Sequence, residues 1–281
     1  MTRLAVKERL HRILTNILLF LFLLSSFFPI YWTIVNSLKG KLELSLIPPT
    51  LITKAPTFVN YVLMFVQRNF GQLMLNSIIV ATISSILCLL IALPASYSLS
   101  RLHLPIRASR NISLWILVSK TLPPIAFVIP LFIIFSKTFI LKTYAGLIIP
   151  YVATNLPFTI WIIKGILDDY PADVEEAAMM DGNSRLVAFC KITVPNIAAA
   201  LFAAAILVFI FCWNEFLFAV IFTNTWDTMT LPIGVWGTMS QYEFTWDKTS
   251  AAASIAIIPV VIFSFAINKY LLKGLTMGAK G

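Results

Sequence analysis

The chain has 281 residues, 59% of them hydrophobic and only 12% charged, with a formal net charge of +9. A soluble domain carries about 25% charged residues, and no polar stretch here reaches the roughly 50 residues that an independent soluble domain needs. The composition is that of an integral membrane protein, and its Lys and Arg, scattered through short loops between apolar runs, act as topology signals rather than as a nucleic-acid-binding face.

A helix needs about 20 apolar residues to cross the hydrocarbon core. Six runs meet that length, at 13–35, 75–99, 112–135, 144–163, 197–222 and 251–272. The first follows Arg3, Lys7, Arg9 and Arg12 as a signal-peptide core would, but it is too long and no small-residue cleavage site follows, so it is read as an uncleaved span. The connection 36–74 carries Pro48, Pro49 and Pro56. The second run has a polar stripe of Asn76, Ser77, Thr82, Ser84 and Ser85, suited either to helix packing or to a solute path.

The third run contains Lys120 just before Pro123 and Pro124, which bend or unwind a helix. Such a lysine can snorkel to the interface, form a structural pair or face an anionic solute. In the fifth run Asn214 and Glu215 lie about 18 residues in, roughly 27 Å from its start at 1.5 Å per residue. Polar groups at that depth serve a pathway or gate, or hold helices together by hydrogen bonds. Their neighbours Trp213 and Phe216 can stack on a sugar face or simply pack. The connection 223–250 carries Pro232, Trp226, Trp236, Tyr242 and Trp246, rings that suit the membrane interface. With the connection 36–74 it could also form a landing surface for an external partner. Residues 273–281 hold three glycines and no apolar anchor, so they are expected to be unstructured. Cys88, Cys190 and Cys212 lack metal-type spacing and read as packing residues.

Six spans put both termini on one side. That face carries thirteen basic residues, counting both tails, the 101–110 loop and the segment 165–196 with the adjoining Lys164, against seven on the other, although Lys39 and Lys41 weaken the bias. It is therefore assigned to the cytoplasm.

Residues 165–196 hold six of the twelve acids, namely Asp168, Asp169, Asp173, Glu175, Glu176 and Asp181. Pro171 and the surrounding acids suit the first turn of a helix over 171–180. Gly182 fits the position just past a helix end, where φ is positive. Asn183 or Ser184 can cap a second short helix ending near Ile192, with Pro195 opening the next span. Val174, Ala177 and Ala178 are expected on one face, where small side chains admit close approach.

The spacing Glu176-Ala177-Ala178, three residues, Gly182, nine residues, Ile192, one residue, Val194, Pro195 resembles the EAA loop of ABC importer permeases, with Val194 where the family usually has leucine. Further matching stretches are Pro123 and Pro124 with Ile129-Pro130-Leu131, Gly146-Leu147-Ile148 with Pro150, the run Trp213-Asn214-Glu215-Phe216-Leu217, and Gly274-Leu275-Thr276-Met277-Gly278. The chain thus resembles sugar-importer permeases of the MalG type, in the binding-protein-dependent branch. The resemblance implies an all-α membrane protein of MetI-like architecture, one permease domain over 1–281 with six transmembrane helices and a cytoplasmic coupling segment at 165–196. It implies a second, homologous permease subunit, two ABC ATPases and an extracytoplasmic sugar-binding protein in the cytoplasmic (inner) membrane, moving a di- or oligosaccharide inward.

ATPase coupling would fall to Glu175, Glu176, Ala177, Ala178, Asp181, Gly182, Ile192 and Pro195, and candidate pathway residues are Asn214, Glu215, Trp213, Lys120 and Asn76. Lys120 departs from the family, which usually has an uncharged residue there. The sequence has no Gly-rich phosphate loop ending in Lys-Ser or Lys-Thr. The chain is therefore expected to be no enzyme and to hold no cofactor, ATP and Mg being bound by the ATPases, beside which its tail would emerge. Competing readings are an ABC permease for a phosphorylated polyol or polyamine, a secondary transporter with its own ion-coupling groups and internal repeat, and a membrane scaffold without transport.

Overall fold

The computed structural model describes residues 3–102, 105–239 and 246–277, and their regular structure is helical, with no β-strand among them. Tyr242 and residues 278–281 lie outside the described residues. The chain divides into two compact units, one of Met1–Phe70 with Val235–Ile258 and one of Gly71–Gly234 with Pro259–Gly281.

In the first unit α1 (Arg3–Ser37) presents apolar side chains such as Phe20, Phe22 and Phe27 outward along its length, as a lipid-facing helix must. Two short helices follow, α2 (Lys41–Leu44) and α3 (Val59–Gln67). A buried lysine organises their connection: the Lys39 ammonium donates to Asn36 Oδ1 at 2.9 Å and to the Thr50 carbonyl at 2.6 Å, and lies 4.5 Å from the Trp32 ring centroid. Burying a charge is tolerable only with such partners. Glu43 accepts from the hydroxyls of Thr50 and Thr53 and the Lys54 amide. Desolvation pushes its carboxyl up, but those donors, with the Lys39 charge, outweigh it and hold the group below the usual carboxylate range.

The second unit is built on α4 (Phe70–Arg101), α5 (Ile106–Ser119), α6 (Ile125–Lys137), α7 (Tyr144–Asp169), α8 (Asp173–Met180), α9 (Arg185–Ala188), α10 (Val194–Asn196), α11 (Ala198–Trp213), α12 (Leu217–Phe222) and α13 (Leu231–Trp236). The last helix, α14 (Trp246–Met277), contributes to both units. Along α4 the buried residues Ser77, Ala81, Ser84, Cys88, Ala92 and Ser96 recur at helical spacing, and small residues let helix backbones approach. Ser96 Oγ donates to the Ile160 carbonyl at 2.9 Å and Cys88 Sγ to the Val152 carbonyl at 3.6 Å, so the stripe packs on α7. Ala92, Ile160, Ile163, Leu167, Ile197 and Leu201 form a buried cluster there. A side chain at Gly146 could not be accommodated, since a Cβ would sit 2.7 Å from the Ile140 carbonyl oxygen.

Among the described residues four helices are long and apolar enough to cross a membrane, within 11–37, 70–101, 144–169 and 246–266. The third apolar run is interrupted where its prolines lead one to expect, and the fifth differs from the continuous span expected. The third is divided into α5 and α6 at residues 120–124, because Pro123 and Pro124 have no N–H to give the preceding turn. The fifth is divided into α11 and α12 at residues 214–216. The last helix also continues to Met277, where the glycine-containing stretch was expected to be unstructured.

Candidate functional site

Segment 165–196 folds as a helix, a turn and a second helix. Asp173, Glu175 and Glu176 fill the first turn of α8, where carboxylates complement the positive end of the helix dipole. Gly182 has φ of +91°, with open space where a side chain would point, so the glycine answers a backbone need. The Ser184 hydroxyl accepts from the Val187 amide at 3.4 Å and caps α9. The second helix does not end near Ile192: it continues through a π-turn at Phe189–Thr193 into α10, and the chain then bends by 74° into α11. Pro195 therefore sits at the end of this helix and does not open the next span.

The two sides of the segment differ. Glu175 is 4% exposed and accepts from Arg101 Nε at 3.2 Å and from the Tyr97 hydroxyl at 2.9 Å. Arg101 also donates to the Tyr170 carbonyl and its own carbonyl accepts from Arg185 at 3.4 Å, while the Tyr97 ring lies 4.2 Å from that of Phe189. Asp168 takes the Ser100 hydroxyl at 2.6 Å and the Lys164 ammonium. The end of α4 thus grips α8, α9 and the end of α7. Ala178 is buried on this side, apart from Val174 and Ala177. On the other side Val174, Glu176, Ala177, Met180, Asp181 and Leu186 are exposed, Met180 at 88% and Leu186 at 70%. Sequence reasoning treated Arg101 as a topology signal and passed over Tyr97; their 70-odd-residue separation from Glu175 leaves no local signal.

The candidate pathway residues do not form one cluster. Asn76 is fully buried: its amide donates to the carbonyls of Trp226 and Met229, and its Oδ1 accepts from Gln72 and Tyr144. It ties the connection after α12 to α4, helped by Ser77, which accepts from the Leu231 amide at 2.7 Å. Trp213 is 2% exposed and stacks on Phe209, so neither ring face is open to a solute. Glu215 accepts from the amides of Phe218 and Ala219 and caps α12, while Asn214, exposed, donates back to the Ile210 carbonyl. The buried Tyr151 hydroxyl is close to the Glu215 carboxylate without meeting hydrogen-bond geometry.

Lys120 lies in the α5–α6 break, where residues 118–127 are all exposed. Its ammonium turns toward α7 and α11, 3.3 Å from Asn155 Oδ1, 3.4 Å from the Thr154 carbonyl, and 5.2 and 5.0 Å from the ring centroids of Phe158 and Phe211. The two helix breaks are thus neighbours, joined also by the Asn155 amide, 3.6 Å from Cys212 Sγ. A separate cavity of about 770 Å³, between the end of α4, α5 and the end of α7, is lined by residues including Ser109, Arg110, Trp161, Lys164 and Asp168.

Residues 92–277 match the family described as binding-protein-dependent transport system inner membrane component. The chain is 36% identical over 256 residues to the sulfoquinovosyl glycerol transport system permease protein SmoH of Agrobacterium fabrum, covering 91% of this chain and 89% of the relative. It is 35% identical over 276 residues to the trehalose/maltose transport system permease protein MalG of Thermococcus litoralis, covering 97% and 98%. Among solved structures, one chain of a bacterial ABC transporter involved in import of the acidic polysaccharide alginate superposes with a TM-score of 0.81, at 21% identity, over 96% of this chain and 98% of that one.

Proposed function

From the premise that the chain belongs to the family of binding-protein-dependent transport system inner membrane components, we propose that it is the membrane subunit through which an ABC importer draws a carbohydrate inward. The relatives that support this cargo class are named for trehalose and maltose, sulfoquinovosyl glycerol and diacetylchitobiose. A di- or oligosaccharide fits that range. The chain is a transport subunit and not an enzyme. Its partners include an ATPase and a substrate-binding protein. The fuller assembly we propose has two ATPases, which hold ATP and Mg, and a second permease that faces this one across the solute path. Four continuous spans and two broken ones make six, with both termini and segment 165–196 in the cytoplasm.

The observation that carries the reading is the outward surface of α8 and α9, with Val174, Glu176, Ala177, Met180 and Leu186 open while Glu175 and Arg101 pair behind them. A face of apolar and small side chains around the carboxylate of Glu176, backed by a buried ion pair, is suited to enter a cleft on an ATPase. When ATP closes the ATPases, α8 and α9 move with them and drag the end of α4 through Arg101. The two permeases then change from inward-open to outward-open. Glu176 meets a cationic side chain of the ATPase, a contact that strengthens once water is displaced.

Co-purification and reconstitution test this. A co-purifying ATPase, with solute uptake into proteoliposomes that requires ATP and the binding protein, is expected. Uptake by this chain alone, driven by an ion gradient, would make it a secondary carrier instead.

A further inference from the structure

We propose that Lys120 is a cargo-binding residue and that the cargo is an anionic carbohydrate, carrying a carboxylate, sulfonate, sulfate or phosphate. The assignment rests on the permease reading above and narrows its cargo. Four features of the second unit lead to it.

The backbone is broken where Lys120 stands, and the break is exposed along its whole length. Irregular backbone at membrane depth persists only against protein or around a water-filled cavity, because lipid cannot satisfy its polar groups. Transporters place solute sites at such interrupted helices. The α5–α6 break therefore borders a passage and not lipid.

The lysine is also held away from the snorkelling pose its stem would permit. Its ammonium points across to α7 and α11, where the Asn155 amide, by donating to the Tyr151 carbonyl at 2.9 Å, leaves Oδ1 facing the ammonium. Asn155 and the Thr154 carbonyl are at 3.3 and 3.4 Å, long for hydrogen bonds to a cation.

No carboxylate stands within ion-pair distance of Lys120 among the described residues, since Glu215 is engaged by the amides of α12 and Asp168 by Lys164. Arg110, on the cavity wall, likewise has no ion pair among the described residues. Lys120 and Arg110 are thus positive charges without a carboxylate among the described residues, unlike Lys164, which Asp168 pairs on the same cavity wall. A neutral solute would leave them so; an anionic one supplies the missing charge where low dielectric strengthens the attraction.

An aromatic strip supplies the rest of a sugar site. Phe158 meets Phe211 edge-on at 5.4 Å and stacks with Trp161 at 6.2 Å, and Trp161 is 48% exposed on the wall of the cavity that also holds Arg110. Ring faces suit the apolar C–H face of a pyranose, and the ammonium beside them suits an acidic substituent on its edge.

The test uses the complete complex in nanodiscs, with its ATPase and binding protein, and matched disaccharide probes: maltose against maltose 6′-phosphate, trehalose against trehalose 6-phosphate, and cellobiose against its uronic acid, cellobiouronate. Stimulation of ATP hydrolysis by the acidic member of a pair is expected. Lys120→Gln should raise its half-maximal concentration by about tenfold or more, as for loss of a charge-assisted bond, while Lys120→Arg retains most of the response. Three results would overturn the assignment while leaving the permease reading intact: stimulation by the neutral member that Lys120→Gln does not change, stimulation by neither series, or loss of the second permease from the Lys120→Gln complex, which would give the lysine a carboxylate partner there. Failure of any ATPase to co-purify would strike the permease reading itself and the assignment with it.

Discussion

The segment 165–196 and the pair of helix breaks around Lys120 treat charge in opposite ways. In the segment the buried acid, Glu175, is satisfied by Arg101 and Tyr97 of the same chain, and what remains exposed is a largely apolar and small-residued face. At the breaks the carboxylate is consumed by a helix end and the cation is left with two weak polar contacts and two rings. A surface that must transmit force to a protein is rigid from behind. A surface that must bind and release a solute keeps an unfilled valence. The same chain can do both because the two sit at different places along α7, Asn155 and Phe158 serving the breaks and Asp168, with Tyr170 just past the helix end, the segment.

Breaking the rigid backing should have the largest effect. Arg101→Ala leaves Glu175 buried and unpaired, a change that costs about 3–5 kcal/mol, so the purified complex should melt well below wild type and lose coupled hydrolysis. Calorimetry of the complex checks the first and phosphate release the second; an unchanged melt would mean that the pair does not hold the segment. Changing the outward face should do the reverse. Leu186→Asp and Met180→Asp should leave the melting of the permease near wild type but weaken ATPase retention on purification, by about 2 kcal/mol or more if these side chains are central to the interface. Retention of the ATPase at wild-type stoichiometry in both variants would place the docking surface elsewhere.

Smaller effects sharpen the picture. Gly182→Ala forces a side chain into a left-handed backbone at a cost of about 1–3 kcal/mol, with no charge altered and open space around it. Gly182→Val should add to that, and normal transport by either variant would show the turn to be dispensable. Ser184→Ala removes the cap of α9 and should cost about 0.5–2 kcal/mol, readable as faster amide exchange at Val187. The weakest effect is expected at Glu43, outside both regions. Its carboxyl is held below the ordinary carboxylate range, so its contribution is present above the unfolded value and is lost as pH falls through the lowered one. The protection of the Lys54 amide, which donates to Glu43, should fall relative to its intrinsic exchange rate at acidic pH, and an unchanged protection factor would remove Glu43 from the account of that loop.

The segment was legible in the sequence because its signals are local. The acids of α8, Gly182 and Ser184 each act within a few residues and stand where expected, whereas Pro171 lies before α8, which begins at Asp173 and not at 171. The pathway was less legible. Pro123 and Pro124 announced the break in the third run, but nothing in Trp213-Asn214-Glu215 says that a helix stops there; the stop depends on Glu215 turning to cap α12. Asn76 and Trp213 looked like lining residues, since a polar or aromatic side chain in an apolar run reads the same whether it faces a solute or its own fold. The partners that bury them, Met229 and Phe209, follow from tertiary contacts. For the same reason Glu175 and Glu176, adjacent in sequence, could not be told apart before the fold put one against Arg101 and the other in the open.

That difference between adjacent glutamates gives the most direct test. Sugar- and binding-protein-stimulated ATP hydrolysis of the complex in nanodiscs should fall to the unstimulated level in Glu176→Ala while the permease melts as wild type does. Full stimulation in Glu176→Ala, with the ATPase still bound, would contradict the assignment of the outward face of α8 as the surface through which hydrolysis and transport are joined.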